Sequence, residues 1–576
     1  MKRGISVFLC LVLILGLFTG CSGDEVKNTM DVAFKTLEET TDSLTQGIKD
    51  KLNAEQNEAL AQVRAQADER RRAILDSPTE IVRSDSFVKG ETYTGTAYYV
   101  SNNGSDYNSG RSPESAFATV APFEYISLYP GDAVFFERGS VWRGMELPWN
   151  LHGTEGLTFS AYGEGPKPAF YGSFENGTGA EKWELYYEDA EGKKIWKYYT
   201  DMTELGSIVL NGSEIVRRDI PWWDGSVYQE MNMPHQDIIG EEYDVTKHLP
   251  DMWCFPALDY TEPMPGVEMN DIYSGWDYNG WVYRVAPLYL RCDAGNPGEI
   301  YEDIEFIQPI TLCSDASSGQ VFDNLSIMYS HRGIMADPED EGVLIQNCEF
   351  GWIGGCVYDY ASDQERKEMM SYSGSPIHRD GHALELNSND TLVEDNYFHH
   401  IFYKAVSSYL YAGQSSIENN IIRSNLIECS GRSITLTNDD TAPQPDRLFK
   451  NILIEDNIVL DSGEDYFLDS KEERSHNSMA FQLEGGMCPN ENLVVRNNIF
   501  ALSKGMLIAI YTYSEQYSKV FDGNTYIHTE GDNPVFIAHG LWRMDEESDL
   551  GHMELDKETI EYYLGDYNSK SYIIRK

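Results

Sequence analysis

A seven-residue segment recurs six times between residues 344 and 526, and this repeat limits the folds open to the chain. Its fifth position is Cys348 in the first copy and asparagine in the others: Asn396, Asn425, Asn457, Asn498 and Asn524. Successive intervals between these positions are 48, 29, 32, 41 and 26 residues. Constant strand-like segments with variable connections predict a solenoid whose insertions lie in its loops. We interpret the asparagine column as structural, because side-chain amides can bond between stacked coils.

The region from Ala97 onward contains short β-type runs separated by Gly, Asn, Asp and Ser. The motifs Tyr99–Asp106, Pro130–Val134 and Ala161–Gly165 resemble the opening coil of pectate-lyase-like β-helix proteins. This resemblance implies an all-β fold, a right-handed parallel β-helix solenoid over residues 90–550, with a C-terminal cap or tail at 551–576. It does not specify an activity, because one fold hosts many functions.

The first twenty residues have the pattern of an export signal. Lys2 and Arg3 are followed by an apolar run from Ile5 to Phe18 and by small residues before Cys21. The run is too short for a permanent transmembrane helix. Leu17–Cys21 resembles the lipobox of bacterial lipoproteins, which implies an exported protein, lipid-anchored through Cys21 to the bacterial cell membrane and facing the cell surface. The alternative is plain secretion of the chain after removal of residues 1–20.

Residues 21–78 are predicted to form an N-terminal helical stalk between this anchor and the solenoid. From Asp24 to Leu75 there is no proline, and apolar residues recur at steps of three, four or seven, which is typical of one face of a helix. The sequence Asp76–Pro78 ends the helix. Such a stalk could self-associate; the alternative is a loosely ordered, charge-rich spacer.

Charge and cysteine content exclude several classes of partner. The 44 Lys and Arg against 94 Asp and Glu give a net charge of −50, which disfavours nucleic acid, and disfavours a polyanionic glycan unless cations bridge it. Apart from Cys10 and Cys21, seven cysteines remain, with no CxxC pair. We therefore expect buried thiols rather than a metal site or a disulfide framework.

An aromatic-rich insertion is predicted near residues 217–281, where the regular succession of short β-type runs is interrupted. It includes Trp222 and Trp276. Aromatic faces stack on pyranose rings, so these residues are candidates for a sugar-binding wall. A small satellite core that packs the insertion against the solenoid is the alternative.

Three strands that precede copies of the repeat carry candidate catalytic carboxylates: Gly333–Asp337, Ala383–Asn387 and Ala480–Glu484. Because strand side chains alternate, Glu385 points outward if its leucine neighbours point inward, and the same register places Asp337 and Glu484 outward. On adjacent coils Asp337 and Glu385 would lie roughly 5 to 7 Å apart, within the range of a glycosidase pair. Glu484, about 14 Å from Glu385, is too distant to be its partner. Asp439, before a Pro-containing loop, is the second candidate partner.

Basic and imidazole residues surround these strands. They suit recognition of sugar hydroxyls or carboxylates and could separate the pKa values of two acids. Together with the neighbouring acid Asp380, the candidates are His331, Arg332, Arg379, His382, Lys404 and Arg432.

The segment Asn347–Gly355, followed by Asp380–Glu385, resembles the central coils of β-helix glycoside hydrolases, including fucosidase and xylan-active families. The resemblance implies that Glu385 is catalytic. We therefore predict a cell-surface glycoside hydrolase acting on a polysaccharide, with Glu385 and either Asp337 or Asp439 as the carboxylate pair and no cofactor required.

Two other functions fit the same residues. A polysaccharide lyase acting on uronate polymers would use Lys404 as base, Arg332 or Arg432 as carboxylate clamp, and calcium held by acidic residues. A non-catalytic glycan-binding scaffold would keep the aromatic wall and need no carboxylate pair.

Overall fold

The structure, a computed structural model, describes most of the solenoid but little of the N-terminal region. The described residues are 51, 53–79, 93–198, 205–216, 253–254, 288–359, 378–411, 413–438, 448–463, 478–486, 490–512, 521–529, 535–538, 549–553 and 559–574. The chain divides into two units, residues 1–65 with 572–576, and residues 66–571. Cys21 and the proposed signal lie outside the described residues. Among the helices described, none has an apolar stretch long enough to cross a bilayer.

Strands dominate the described residues. In the first part of the chain they are β1 (Ala97–Val100), β2 (Ala133–Glu137), β3 (Val141–Arg143), β4 (Thr158–Tyr162), β5 (Ala169–Tyr171), β6 (Trp183–Glu188), β7 (Lys194–Tyr198), β8 (Ile208–Leu210), β9 (Glu214–Val216), β10 (Trp253–Cys254), β11 (Leu288–Arg291), β12 (Ile304–Phe306), β13 (Gln308–Cys313), β14 (Val321–Asp323), β15 (Ser326–Met328), β16 (Ser330–Ala336), β17 (Leu344–Gln346), β18 (Glu349–Ile353) and β19 (Cys356–Asp359).

The second part continues with β20 (His378–Asp380), β21 (His382–Leu386), β22 (Leu392–Glu394), β23 (Tyr397–Leu410), β24 (Ser416–Glu418), β25 (Ile421–Arg423), β26 (Leu426–Asn438), β27 (Leu448–Lys450), β28 (Leu453–Glu455), β29 (Ile458–Ser462), β30 (Met479–Gly486), β31 (Asn490–Glu491), β32 (Val494–Arg496), β33 (Ile499–Ser503), β34 (Met506–Thr512), β35 (Phe521–Asp522), β36 (Thr525–Thr529), β37 (Val535–Ala538), β38 (Asp549–Met553) and β39 (Lys570–Ile574).

Helical elements are few among the residues that the structure describes. Helix α1 covers residues 53–75, in agreement with the helical periodicity and the predicted stop at Asp76–Pro78. The others are single turns: α2 (Trp149–His152), α3 (Pro297–Ile300), three 3₁₀ turns (Pro113–Ser115, Ala121–Tyr125 and Ala180–Lys182) and a π-helical turn (Ile560–Leu564).

The strands stack in parallel on three faces, which confirms the predicted parallel β-helix. The first face has the order β1-β2-β4-β14-β17-β22-β25-β28-β32-β35. The second face stacks β3, β5, β15, β18, the first half of β23, the first half of β26, β29, β33 and β36. The third face stacks β13, β16, β21, the second halves of β23 and β26, β30, β34 and β37. The strands β23 and β26 are long because each turns the corner between two faces.

The core runs along the solenoid axis as stacked apolar side chains. Phe159 stacks on Phe322 with ring centroids 5.0 Å apart, and Phe350 stacks on Phe398 at the same distance. Four of the described cysteines are buried thiols, as expected for side chains that act as small hydrophobes: Cys292, Cys313, Cys348 and Cys356.

The asparagine column forms a continuous buried ladder, as predicted. Each side-chain oxygen accepts hydrogen bonds from the backbone N–H and the side-chain amide of the preceding asparagine, at 2.9 to 3.1 Å. In the first coil, the Cys348 N–H donates to the Asn396 oxygen. The ladder ends on the Asp566 carboxylate, which accepts from the N–H and side chain of Asn524, from the Gly523 N–H and from the Tyr526 hydroxyl. The repeat did not indicate this terminal acid.

Part of the predicted stalk packs on the solenoid. From Gln66 onward the chain belongs to the larger unit, and the Arg71 guanidinium binds the Glu428 carboxylate through contacts of 2.7 and 3.0 Å. Beyond the helix, the Ser77 hydroxyl accepts from Lys167 Nζ at 2.9 Å. These contacts fix residues 66–79 against the second face.

We expect Arg71→Ala to loosen the last turns of α1. Charge-assisted hydrogen bonds contribute about 1.5–3 kcal/mol each, so protection of the amides at residues 70–75 against hydrogen exchange should fall by roughly tenfold or more. Arg72→Ala is the matched control, because Arg72 is exposed on the same turn. Equal protection in both variants would contradict docking through Arg71.

Candidate active site on the third face

The third face presents a line of polar side chains from consecutive coils. Leu384 and Leu386 lie in the core, so Glu385, between them, points to the opposite side of the strand. The register then defines a column at the position of Glu385, and its members are Met335, Glu385, Ser407, Thr435 and Gln482.

Glu385 is held from several sides and is only 4% exposed. The Tyr411 hydroxyl donates to Oε1 at 2.7 Å, and the Asn387 side-chain amide lies 3.4 Å from the same oxygen. His382 Nδ1 lies 3.1 Å from Oε2 and 3.1 Å from the Ser407 hydroxyl oxygen. The carboxylate is therefore fixed in position before any ligand binds.

The surroundings keep Glu385 ionised. Burial alone would raise the pKa of its carboxyl, but the hydrogen bond and charge of His382, the hydrogen bond from Tyr411 and the charge of Arg332 together lower that pKa to about 2. Above about pH 2 the carboxyl is therefore an anion, the form that a general base or a nucleophile requires, while the same donors lower its basicity.

The pKa of the Asp337 carboxyl is displaced in the opposite direction. It follows β16 directly and is half-buried. Its burial, together with the negative charges of Asp315, Glu339 and Glu385, raises the pKa of its carboxyl. Met335 is paired with Glu385, as the aligned strands predicted, so Asp337 lies one coil and two residues away, roughly 7–8 Å between the backbone positions. This separation is longer than the sequence alone indicated.

Two cations and two tyrosines form a cluster beside Glu385. His382, Lys404 and Arg432 occupy one register position on successive coils. Lys404, only 1% exposed, donates to the Tyr409 hydroxyl. The Tyr403 ring lies 5.0 Å from both Lys404 Nζ and Arg432 Cζ, in cation–π geometry. Three of the predicted basic and imidazole candidates are thus brought together, although Lys404 is engaged with an aromatic partner.

The remaining predicted residues are less well placed. His331 is buried on β16, and the side chain of Arg332, half-buried, contacts the Met335 sulfur at 3.6 Å. The backbones of Arg379 and Asp380 pair with β19 and that of Glu484 pairs with Thr437, whereas the side chains of all three lie outside the described residues. Also outside them are Asp439, Trp222 and Trp276.

Tyr403, Tyr409 and Tyr411 were not singled out from the sequence. Their spacing by even numbers along β23 and just beyond it was the available signal, because alternate strand residues share a face. Tyr411 is 38% exposed, so its ring is accessible while its hydroxyl holds Glu385.

Comparisons with known proteins give distant similarity only. No family model and no curated protein matches the chain. Among solved structures, a complex of XylC with xylose is 12% identical, with a TM-score of 0.33, over 75% of this chain and 69% of that one. The GH136 lacto-N-biosidase from Eubacterium ramulus is 12% identical, with a TM-score of 0.33, over 83% and 68%. A structure described as a glycoside hydrolase is 9% identical, with a TM-score of 0.31, over 84% and 96%. The fold assignment rests on the strand registers of this chain.

We expect Tyr411→Phe to raise the pKa of Glu385, because it removes a hydrogen bond to the ionised form. If Glu385 acts as an anion in turnover, the acidic limb of the pH–rate profile should move to higher pH. The profile of Tyr107→Phe, which alters a fully exposed tyrosine elsewhere, should match that of the unmodified chain. If all three proteins gave the same pH–rate profile, the hydrogen bond from Tyr411 would not influence the ionisation of Glu385.

Proposed function

We propose that the protein is a glycoside hydrolase that acts on a polysaccharide by paired-carboxylate catalysis. The proposal is carried by the pairing of β16 with β21, which brings Asp337 and Glu385 onto adjacent coils, where burial and neighbouring charges displace the pKa values of the two carboxyl groups in opposite directions. Environments that separate two carboxyl pKa values create one base and one acid.

We propose inversion of configuration, because the backbone positions of Asp337 and Glu385 leave space for carboxyl groups at the wider of the two glycosidase spacings. Inverting glycosidases place their carboxyl groups about 6.5–9.5 Å apart, which leaves room for a water molecule. Glu385 would take a proton from that water while the oxygen of the water forms a bond to the anomeric carbon. Asp337 would give its proton to the departing glycosidic oxygen as the bond to the anomeric carbon breaks.

The same assignment predicts activity at acid pH. Glu385 must be ionised, which holds above about pH 2, and Asp337 must be protonated, which holds only below its raised pKa. The rate should therefore fall as pH rises through the pKa of Asp337. A pH–rate profile that rises continuously from acid to alkaline pH would contradict the assignment.

The first experiment is a digestion screen of the full-length chain in detergent, against neutral and acidic polysaccharides with and without EDTA. Hydrolysis should release reducing ends, without products that absorb in the ultraviolet, and proton NMR should show the inverted anomer first. Absorbing products lost in EDTA would indicate the lyase alternative. Binding without any product would indicate a glycan-binding scaffold.

We also propose that the chain is exported and anchored through a lipid on Cys21, with residues 21–78 leading to the solenoid. The supporting observations are the signal pattern and the lipobox resemblance in the sequence. Labelled palmitate should be incorporated into the protein expressed in a bacterial host and should be lost in Cys21→Ser. Label retained in that variant would place the acyl group elsewhere.

A further inference from the structure

Two large aromatic side chains are exposed on neighbouring turns near the N-terminal end of the solenoid. Trp149 is 67% exposed and Tyr125 is 88% exposed. The side-chain amide of Asn150 holds the two turns together, because it donates to the Phe123 carbonyl at 3.0 Å and to the Glu124 carbonyl at 2.9 Å. Single exposed apolar residues are ordinary on a protein surface, whereas adjacent ones are typical of a binding surface.

These turns lie in one row with the proposed catalytic pair. Helix α2, which begins at Trp149, leads from the third face to the first face, as the turns after β13 and β16 do. Just before α2, the Leu147 N–H donates to the Leu312 carbonyl on β13, and β13 pairs with β16, which pairs with β21. Asp337 is therefore two coil spacings from α2, roughly 10 Å, and Glu385 is three, roughly 14 Å.

The row between the exposed rings and the carboxyl pair is accessible to solvent. Ser314 and Glu339, in the turns after β13 and β16, are exposed, and Asp315 and Asp337 are half-buried. His152 Nδ1 lies 3.1 Å from the Asp315 carbonyl oxygen, so α2 is held directly against the turn after β13. A ligand can therefore extend from the rings to the carboxyl pair over the surface of the protein.

The chemistry of this row favours a neutral sugar chain as the ligand. Indole and phenol rings stack on the apolar faces of pyranose rings and leave the sugar hydroxyls in water. Burial and the negative charges of Asp315 and Glu339 raise the pKa of the Asp337 carboxyl. The surface beside the rings is therefore negative, and it would repel a uronate or a sulfated sugar.

We propose that Trp149 and Tyr125 stack on pyranose rings of a neutral glycan chain that extends along the solenoid axis, from the coil of Glu385 toward the N-terminal end. The inference rests on the proposed function for the position of the cleaved bond. The two rings would form distal subsites, which hold sugar residues beyond those at the carboxyl pair. A short oligosaccharide bound at Glu385 would not reach them.

The substitutions Trp149→Ala and Tyr125→Ala test this proposal through the length of the ligand. A hexasaccharide should bind the parent chain more tightly than the trisaccharide of the same linkage, and each substitution should reduce that advantage roughly tenfold. Since both rings are exposed, the urea midpoint of unfolding should stay close to that of the parent chain. Trp149→Phe keeps a ring that can stack, and should retain most of the affinity for the hexasaccharide.

The parent chain for this measurement is the full-length protein in detergent carrying Glu385→Gln, so that calorimetry reads binding without turnover. The probes are the trisaccharides and hexasaccharides of the xylan, cellulose, laminarin and chitin series, and the series that binds most tightly is titrated into every variant. Tyr567→Ala is the matched control. Tyr567 is 69% exposed and follows Asp566 at the opposite end of the solenoid, so its loss should change neither affinity.

A reduced hexasaccharide advantage in Trp149→Ala and Tyr125→Ala, but not in Tyr567→Ala, supports the proposal. If the unsubstituted chain then cleaves no polysaccharide, the stacking surface stands and only the hydrolase proposal fails. Unchanged affinities in both variants would overturn the stacking surface and leave the hydrolase proposal intact.

Three other results would also overturn the proposal. Equal losses of affinity for the trisaccharide and the hexasaccharide would separate the rings from the ligand at Glu385. Failure of all four series to bind would exclude a neutral glycan of these types as the ligand. A dimer that dissociates in Trp149→Ala, measured by sedimentation velocity, would identify a second copy of the chain as the partner of this surface.

Discussion

Replacing Glu385 by Gln is expected to lower kcat by roughly 10²–10⁴-fold, the usual contribution of a positioned general base. Glutamine keeps an oxygen that can accept the hydrogen bond from Tyr411, so the shape of the site is preserved, but it cannot take a proton from water. The measurement is initial rates on the polysaccharide identified in the digestion screen, for both proteins at one pH.

Glu394→Gln is the control for this experiment. Glu394 is as buried as Glu385, at 4% exposure, and also carries a close partner, with Arg423 Nε 2.8 Å from its Oε2. It lies on the first face, away from the site, so its loss should not change kcat. If Glu385→Gln retained activity comparable to that of Glu394→Gln, the assignment of Glu385 as a catalytic group would be wrong.

The same variant tests the electrostatics of the site. The carboxyl of Glu385 has a pKa of about 2 against a usual 4.5, so its ionised form stabilises the fold by about 3 kcal/mol. Because the folded-state pKa is the lower one, this stability is present above about pH 4.5 and is lost as pH falls toward 2. The free energy of unfolding of the unsubstituted chain should therefore decline more steeply than that of Glu385→Gln between these limits.

Removing the side chain of Asn457 is expected to lower the free energy of unfolding by about 4 kcal/mol. Its oxygen accepts from the N–H and the side-chain amide of Asn425, and its amide donates to the Ile422 carbonyl and to Asn498. Four buried hydrogen bonds at about 1 kcal/mol each give this estimate, and the groups left unpaired add to it. Urea denaturation of Asn457→Ala measures the effect.

A second, exposed ladder offers a matched control. The Asn451 side chain donates to Asn419 and accepts from Asn492, both at 2.9 Å, at the solvent-exposed side of the turns. Asn451 has a φ of 54°, which glycine adopts without strain, so Asn451→Gly removes the hydrogen bonds and keeps the backbone. This change should cost less than about 1 kcal/mol, because water replaces the lost partners. Equal losses in the two variants would contradict a special contribution of the buried ladder.

The solenoid could be predicted because its stabilising contacts repeat in the sequence. The aligned segments revealed the asparagine ladder directly, since every copy meets the same neighbours one coil away. Asp566 was missed because it ends the ladder only once and stands outside any copy of the repeat. A contact made a single time leaves no periodic signal.

The candidate site was predictable only in part, for a related reason. Alternation along β21 gave the outward direction of Glu385, but its burial and low pKa depend on residues from other coils or turns, such as Arg332 and Tyr411. The aligned strands Gly333–Asp337 and Ala383–Asn387 did predict that Met335 faces Glu385, but the estimate of the spacing to Asp337 gave too little weight to the offset of two residues along the strand.

The terminal carboxylate of the asparagine ladder also limits where coils could have been added to the solenoid. An asparagine passes the pattern on, because its amide donates to the next side chain while its oxygen accepts from the previous one. Asp566 has acceptors only, so it closes the series and offers no donor to a further coil. Gain or loss of a whole coil by duplication or deletion is therefore compatible with the ladder at any point between Asn396 and Asn524, but not beyond Asp566. The length of the solenoid can vary in its middle while its final coil stays the same.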